Sequence, residues 1–316
     1  MTRFASLFIA ALAAFAAGAS ASPFAYVSNE GSGTISVVDI ATDKVTATLK
    51  VGTKPRGIAV SHDGRRLYVS DQTGGSLIVH DLDRGADVAT IPVGKSPEAI
   101  YLSPDGRFIS VAVEENDQVA IVDLAKLQVA RTVRMRGKNP EHAVWSPDGK
   151  WLYASAEEAD SVDVVDVARG EVVKSITVGQ RPRGIGFLPD GSRAYVAAEQ
   201  ADRVVVIDTA RSEVVATIAA GLRSNGVLVH PDGKHVFVTS GGKATVQVID
   251  TASQAIVAEV EVGKRPWNMA LSPDGRKLYV ACGRSNAVAV VDAVKFTRMG
   301  EIAVGNLPWG VAIPAR

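Results

Sequence analysis

A repeat close to 42 residues long, short apolar strands punctuated by Ser-Pro-Asp-Gly turns, and two chain ends that add up to one further repeat together predict an all-β fold. The expected architecture is a seven-bladed β-propeller of four-stranded antiparallel blades, with the ring closed by a composite blade from both termini.

The period is read from two sets of residues. Gly52, Gly94, Gly137, Gly179, Gly221, Gly263 and Gly305 are spaced by 42 residues, except for one step of 43 between Gly94 and Gly137. Asp39, Asp81, Asp123, Asp166, Asp208, Asp250 and Asp292 keep the same period, with one step of 43 between Asp123 and Asp166.

The segment from Gly263 to Asp292 shows how one unit is built. Asn268–Leu271 reads as a first strand. Ser272-Pro273-Asp274-Gly275 is a turn in which proline presets one torsion and glycine supplies the positive one. Leu278–Ala281 is a second strand rich in β-formers. The polar loop Gly283–Asn286 leads to a third strand, Ala287–Val291, and Asp292 closes it with a carboxylate able to take an Asx-type turn. The fourth strand is clearest at Val45–Val51, where apolar and polar residues alternate and only one face is buried.

Six complete repeats run 53–94, 95–137, 138–179, 180–221, 222–263 and 264–305. The 11 residues of 306–316 supply a first strand, and the 31 residues of 22–52 supply the other three. The ends therefore meet in one blade, which removes the open edge a broken ring would expose.

Residues 1–21 stand outside this pattern. Arg3 begins a basic start, Phe4 to Ala17 is an apolar run, and Ala19-Ser20-Ala21 is a small-residue cleavage site. The segment reads as a signal peptide, cleaved to leave 22–316 as a single domain, periplasmic or secreted. No second apolar run follows, so no membrane span is expected in the mature chain. Lys plus Arg and Asp plus Glu each total 34, a balance that argues against a nucleic-acid partner. The single cysteine, Cys282, cannot form an internal disulfide and reads as a small buried side chain.

The second strands Ala25-Tyr26-Val27-Ser28-Asn29, Leu67-Tyr68-Val69-Ser70-Asp71, Ala194-Tyr195-Val196-Ala197 and Leu278-Tyr279-Val280-Ala281 carry a shared motif. With the Ser-Pro-Asp-Gly turns and Val-Val-Asp strand ends, the chain resembles the YVTN family of β-propeller repeat proteins over its whole mature length. Ser110 and Phe237 replace the tyrosine, and Ser61-His62-Asp63 and Leu188-Pro189-Asp190 vary the turn. Seven repeats behind a signal peptide are also similar to the periplasmic β-propellers associated with PQQ-dependent alcohol catabolism. That resemblance implies an accessory role beside quinoprotein dehydrogenases or their transport system.

A site is expected where the loops before the first strands meet at the central channel. The residue after the proline position reads Arg56, Glu98, Glu141, Arg183, Asn225, Trp267 and Trp309 around the ring. The next position is mostly Gly or Ala, with His142 and Asn268 as exceptions. Variation inside a constant frame is where recognition is written. One reading has Arg56–Glu98 and Glu141–Arg183 neutralising one another across neighbouring blades. The other makes the ring mouth a binding site, with Trp267, Trp309 and Arg56 forming an aromatic corner for a small amphipathic ligand or a periplasmic redox or transport protein. Trp145 and Trp151 carry no such expectation.

The outer loops on that face are acidic on one side: Glu30, then Glu114, Glu115 and Asp117, Glu157, Glu158 and Asp160, and Glu199 and Asp202. They read first as solvated and second as a protein-docking surface. The extra residue of the repeat, within Arg134–His142, is expected either to form a bulge or to bring three basic side chains to the mouth.

No catalytic residue, metal ligand set or cofactor is assigned. Among five histidines none has zinc spacing, and no Gly-x-Ser-x-Gly elbow or Cys-x-x-Cys-His haem-attachment site occurs. The alternatives are a lactonase-like hydrolase with His142 as base beside Glu141 and Glu98, or a propeller subunit that holds a redox cofactor.

Overall fold

The computed structural model describes residues 24–314. The expected signal peptide and its cleavage site lie outside these residues. Seven four-stranded antiparallel sheets form a closed ring, with almost no helix beyond three single 3-10 turns.

Blade one is the composite. Its strands, from the axis outward, are Pro308–Ala312, Phe24–Asn29, Thr34–Asp39 and Lys44–Leu49. Tyr26 pairs with Ala312, Val27 with Val311, Ser28 with Gly310 and Asn29 with Pro308. The ring thus closes where the repeat arithmetic places it. Blades two to seven begin with the strands Pro55–Val60, Pro97–Leu102, Pro140–Trp145, Pro182–Phe187, Ser224–Val229 and Pro266–Leu271. These first strands face one another around the axis.

The apolar pattern sets the layering. Second and third strands are buried on both faces, and the core clusters straddle neighbouring blades: Leu77 and Val79 of blade two pack with Ile109 and Val111 of blade three. Fourth strands such as Glu171–Thr177 expose alternate residues at the rim. The turns hold as their residue types require. Ser272 Oγ donates to Asp274 Oδ1 at 2.5 Å, Gly275 takes φ of 72°, and Asp39 Oδ1 accepts the amides of Ala41 and Thr42. Cys282 is fully buried, and burial pushes its thiol up to about 11.

One irregularity positions the site. The first strand of blade two slips register between Pro55 and Ile58, a bulge that turns the intervening residues into the channel. Its free amide, on Gly57, donates to Ser70 Oγ at 2.8 Å. That hydroxyl donates in turn to the carbonyl of Glu98 on the next blade, at 2.6 Å. Ser28 holds the Arg56 carbonyl at 2.6 Å, and Thr239 holds that of Trp267 at 2.9 Å. The second-strand Ser and Thr residues therefore lock one ring residue to its neighbour.

The extra residue does not bring all three basic side chains to the mouth. The Arg136 guanidinium does not join the mouth: it donates to the carbonyl of Val172 on blade four at 2.6 Å, while the Arg136 and Gly137 amides donate to Asp163 Oδ2. The added length lets blade three reach the fourth strand of its neighbour and staple the rim.

Candidate functional site

The ring residues Arg56, Glu98, Glu141, Arg183, Asn225, Trp267 and Trp309 all come from the residue that follows the first position of a first strand, so the bulge delivers them to one mouth. Most of them line a cavity of about 200 Å³, together with Gln72, Glu114, Glu157, Arg181 and Arg265. Asn268 sits one position on, and its Nδ2 donates to the Trp309 carbonyl at 3.3 Å.

Both ion pairs read from the sequence are formed. Arg56 Nη1 meets Glu98 Oε2, and Arg183 Nη1 meets Glu141 Oε1 at 2.5 Å. The pairs are parts of a larger lattice. Arg183 also reaches Glu157 Oε2 at 3.2 Å and, through Nε, Glu199 Oε2 at 2.8 Å. Arg181 contacts Glu157, Arg265 Nη2 reaches Glu199 Oε1 at 2.7 Å, and Glu30 takes Lys54 at 3.1 Å and Arg56 at 3.3 Å.

The acidic outer loops are only partly solvated. Glu115 and Glu158 are exposed, but Glu30, Glu157 and Glu199 are buried and Glu114 is half-buried. All four stand directly after a second strand, a place held on the remaining blades by Gln72, Gly241 and Gly283. They form a second ring concentric with the first. A third ring, the residue before each first strand, contributes Lys54, Arg181 and Arg265. Equal register at the 42-residue spacing was the available signal for both rings. The sequence places Glu30, Glu114, Glu157 and Glu199 on this face but reads them first as solvated, because charged loop residues ordinarily face water.

The floor is aromatic. Trp309, from blade one, crosses the channel and stacks on His142 of blade four, with ring centroids 6.3 Å apart and planes 20° from parallel. His142 Nδ1 lies 2.6 Å from the Tyr101 hydroxyl of blade three. His142 and Trp309 are both buried, whereas Trp267 is half-exposed. The aromatic corner is therefore split: Trp309 plugs the channel as the buried floor of the cavity, and Trp267 is the more exposed of the two.

Burial dominates the electrostatics. It pulls His142 down to about 4, outweighing the Glu141 carboxylate, so the imidazole is neutral at neutral pH. Burial and the nearby Glu141 carboxylate push Glu98 up to about 8 against the pull of Arg56. Burial alone would raise Glu141 as well, but the Arg183 guanidinium holds it below the usual carboxylate range. Oxygens of Glu114, Glu141 and Glu157 come within 4.8 Å of one another. Arg183 already neutralises two of the three, so the cluster by itself makes no metal site.

His62, His230 and His235 lie at the opposite face, in or beside the turns that end the first strands. Trp151 is on that face too, beside a groove with Pro147, Phe187 and Pro189, and Trp145 is buried with its indole N–H on the Tyr101 carbonyl.

Two family models match the chain. The Cytochrome D1 heme domain model covers residues 7–189, and that of the seven-bladed β-propeller lactonases covers residues 168–299. Comparison with curated proteins by sequence gives no match. Among solved structures, a chain of the Kuenenia stuttgartiensis hydrazine synthase is 27% identical, with a TM-score of 0.78 over 85% of this chain and 92% of that one. A protein of unknown function from Desulfotomaculum acetoxidans is 19% identical, with a TM-score of 0.82 over 93% and 99%. A dihydro-heme d1 dehydrogenase in complex with DHE is 17% identical, with a TM-score of 0.68 over 92% and 74%. The last two share the fold. No helix among the described residues is long and apolar enough to cross a membrane.

Proposed function

The chain belongs to the Cytochrome D1 heme domain family, and on that premise we propose that it works as a binding propeller that performs no bond chemistry alone. Its ring mouth receives a small amphipathic ligand or docks a redox or transport protein. The observation that carries this reading is the state of the charged groups at the mouth: Glu30, Glu98, Glu141, Glu157 and Glu199 are each matched by a guanidinium or ammonium, and Glu114 accepts from Ser96 Oγ at 2.9 Å. Such a lattice offers shape and charge for recognition, but no free nucleophile or poised base.

The residues at the mouth do not fit the haem that the family name implies. A haem iron needs an axial side chain such as His, Cys, Met or Tyr. None of the residues that line the cavity is a His, Cys, Met or Tyr, and the histidine beneath it is covered by Trp309 and engaged by Tyr101. The cavity of about 200 Å³ is also below the roughly 300–1,000 Å³ of pockets for drug-sized ligands. The lactonase reading meets the same obstacle, because its only candidate base is His142 behind the same indole.

Residues 1–21 and the YVTN-type repeats support export, with an accessory place beside PQQ-dependent alcohol oxidation or its transport system. Likeness to the hydrazine synthase chain supports a setting among redox enzymes. The test is reconstitution and turnover. Protein mixed with haem and passed through gel filtration should carry no Soret band, and lactones should hydrolyse at the buffer rate. A stoichiometric Soret band, or lactone turnover abolished in His142→Ala, overturns the reading.

A further inference from the structure

The mouth is built asymmetrically, and the asymmetry has a cause in two glycines. Blades one, three, four and five place Glu30, Glu114, Glu157 and Glu199 after the second strand; blades six and seven place Gly241 and Gly283 there. Side chains of blade seven fold into the space these glycines leave. A methyl group built on Gly241 would lie 2.9 Å from Arg265 Nη1, and one built on Gly283 would lie 2.7 Å from the Trp267 ring. The sector over blades six and seven is therefore free of ring carboxylates and lined by Arg265, Trp267 and Asn225.

Arg265 is not fully satisfied in that sector. Its Nη2 pairs with Glu199, but Nη1 is shielded from solvent and has no hydrogen-bond partner among the described residues. A buried guanidinium donor without an acceptor is costly, and an anion that supplies one relieves the cost. The half-exposed Trp267 ring beside it offers a flat apolar surface.

We propose that this sector is a subsite for a small monocarboxylate carried on a flat apolar body, an aryl carboxylate being the type. The proposal rests on the reading that the mouth binds rather than reacts, and it names the ligand class. On binding, the Arg265 guanidinium turns Nη1 out of its shielded place beside Gly241 so that one carboxylate oxygen accepts from it, the buried Asn225 amide supplies a further polar contact, and the ring lies against Trp267. The cavity of about 200 Å³ limits the body to a single ring or its equivalent. The carboxylates on the facing blades disfavour a dianion.

Calorimetric titration of the full chain with benzoate, benzyl alcohol and benzylamine tests the assignment. Benzoate should bind saturably, at least tenfold tighter than benzyl alcohol, and benzylamine should bind no better than the alcohol. Arg265→Gln should weaken benzoate at least tenfold. Gly241→Glu, which puts a carboxylate where four other blades carry one, should do the same by occupying Arg265. Trp267→Leu should weaken benzoate and benzyl alcohol together. N-acetylphenylalanine separates a free acid from a peptide terminus: tighter binding than benzoate would overturn the small-acid assignment. Benzoate affinity unchanged in both Arg265→Gln and Gly241→Glu, with native circular dichroism, overturns the subsite. Preference for benzylamine overturns it too, and leaves a binding mouth of the opposite charge class. Lactone turnover would end the non-enzymatic reading, while benzoate affinity lost in Arg265→Gln would still support the subsite.

Discussion

Acidification should draw a destabilising contribution from one side chain in the channel floor. His142 is fully enclosed by Trp309, Tyr101 and its own blade, and burial pulls its pKa from 6.5 to about 4. The unfolded chain therefore takes up the proton first. Stability from the neutral imidazole is fully present above the unfolded pKa of 6.5 and is lost as pH falls through about 4. Linkage puts the loss at about 2 kcal/mol by about pH 5 and about 3 kcal/mol by about pH 4. Glu98 works in the opposite sense over the same window. Its folded pKa of about 8 lies above the ordinary 4.5, so its contribution grows as pH falls. The total pH dependence of the wild type thus mixes two signs, and the diagnostic quantity is its difference from His142→Gln. Urea unfolding followed by far-ultraviolet circular dichroism at about pH 7 and about pH 5 measures it. The variant should lose about 2 kcal/mol less than the wild type between the two conditions. Parallel pH dependence in the two proteins would refute the claim that the buried imidazole carries the effect.

Other expectations follow from the same geometry. Wild-type stability should decline as pH rises through about 8 and Glu98 ionises, and Glu98→Gln should flatten that limb in unfolding titrations; an unchanged slope counts against it. Deleting residues 306–316 removes the inner strand of blade one and should yield insoluble or low-melting protein, whereas a full melting temperature would disprove closure through the termini. Trp309→Ala should cost about 3–5 kcal/mol of stability as a buried plug, while Trp267→Ala keeps the fold and weakens ligand at least tenfold and Trp151→Ala changes neither; equal unfolding midpoints for the Trp309 and Trp267 variants would contradict this division. Mass spectrometry of exported protein should give a chain that begins at or near Ser22, and soluble cytosolic material with intact residues 1–21 would end the export proposal.

The repeat made the ring legible before any coordinate. Glycine and aspartate spacing, proline turns and the complementary ends are local chemistry copied seven times, and each copy has little freedom to fold otherwise. The innermost ring of the site was legible for the same reason, since Arg56, Glu98, Glu141, Arg183, Asn225, Trp267 and Trp309 share one register. What the pattern does not state is side-chain direction. Glu157 and Glu199 sit in loops, as exposed residues do, yet they turn inward because Arg181, Arg183 and Arg265 offer charge across blade boundaries. Trp309 and Trp267 occupy equivalent positions and look alike in sequence. Trp309 is followed by Gly310 and spans the channel to His142; Trp267 finds Gly283 beneath it and lies in the mouth. His142, which Trp309 meets, belongs to another repeat, and Gly283, which Trp267 meets, stands sixteen residues away in its own repeat, so neither difference shows at the ring position itself.

That dependence on neighbours also explains why a glycine at one register position changes the character of the mouth. Where Glu30, Glu157 and Glu199 stand after a second strand, nearby arginines are drawn into pairs. Where Gly241 and Gly283 stand, Arg265 keeps one donor free and Trp267 keeps one face open. Moving a single carboxylate into or out of that position converts a neutral sector into an anion-accepting one without touching the frame. Specificity in this ring is therefore set by which blades lack the acid as much as by which blades carry the arginine.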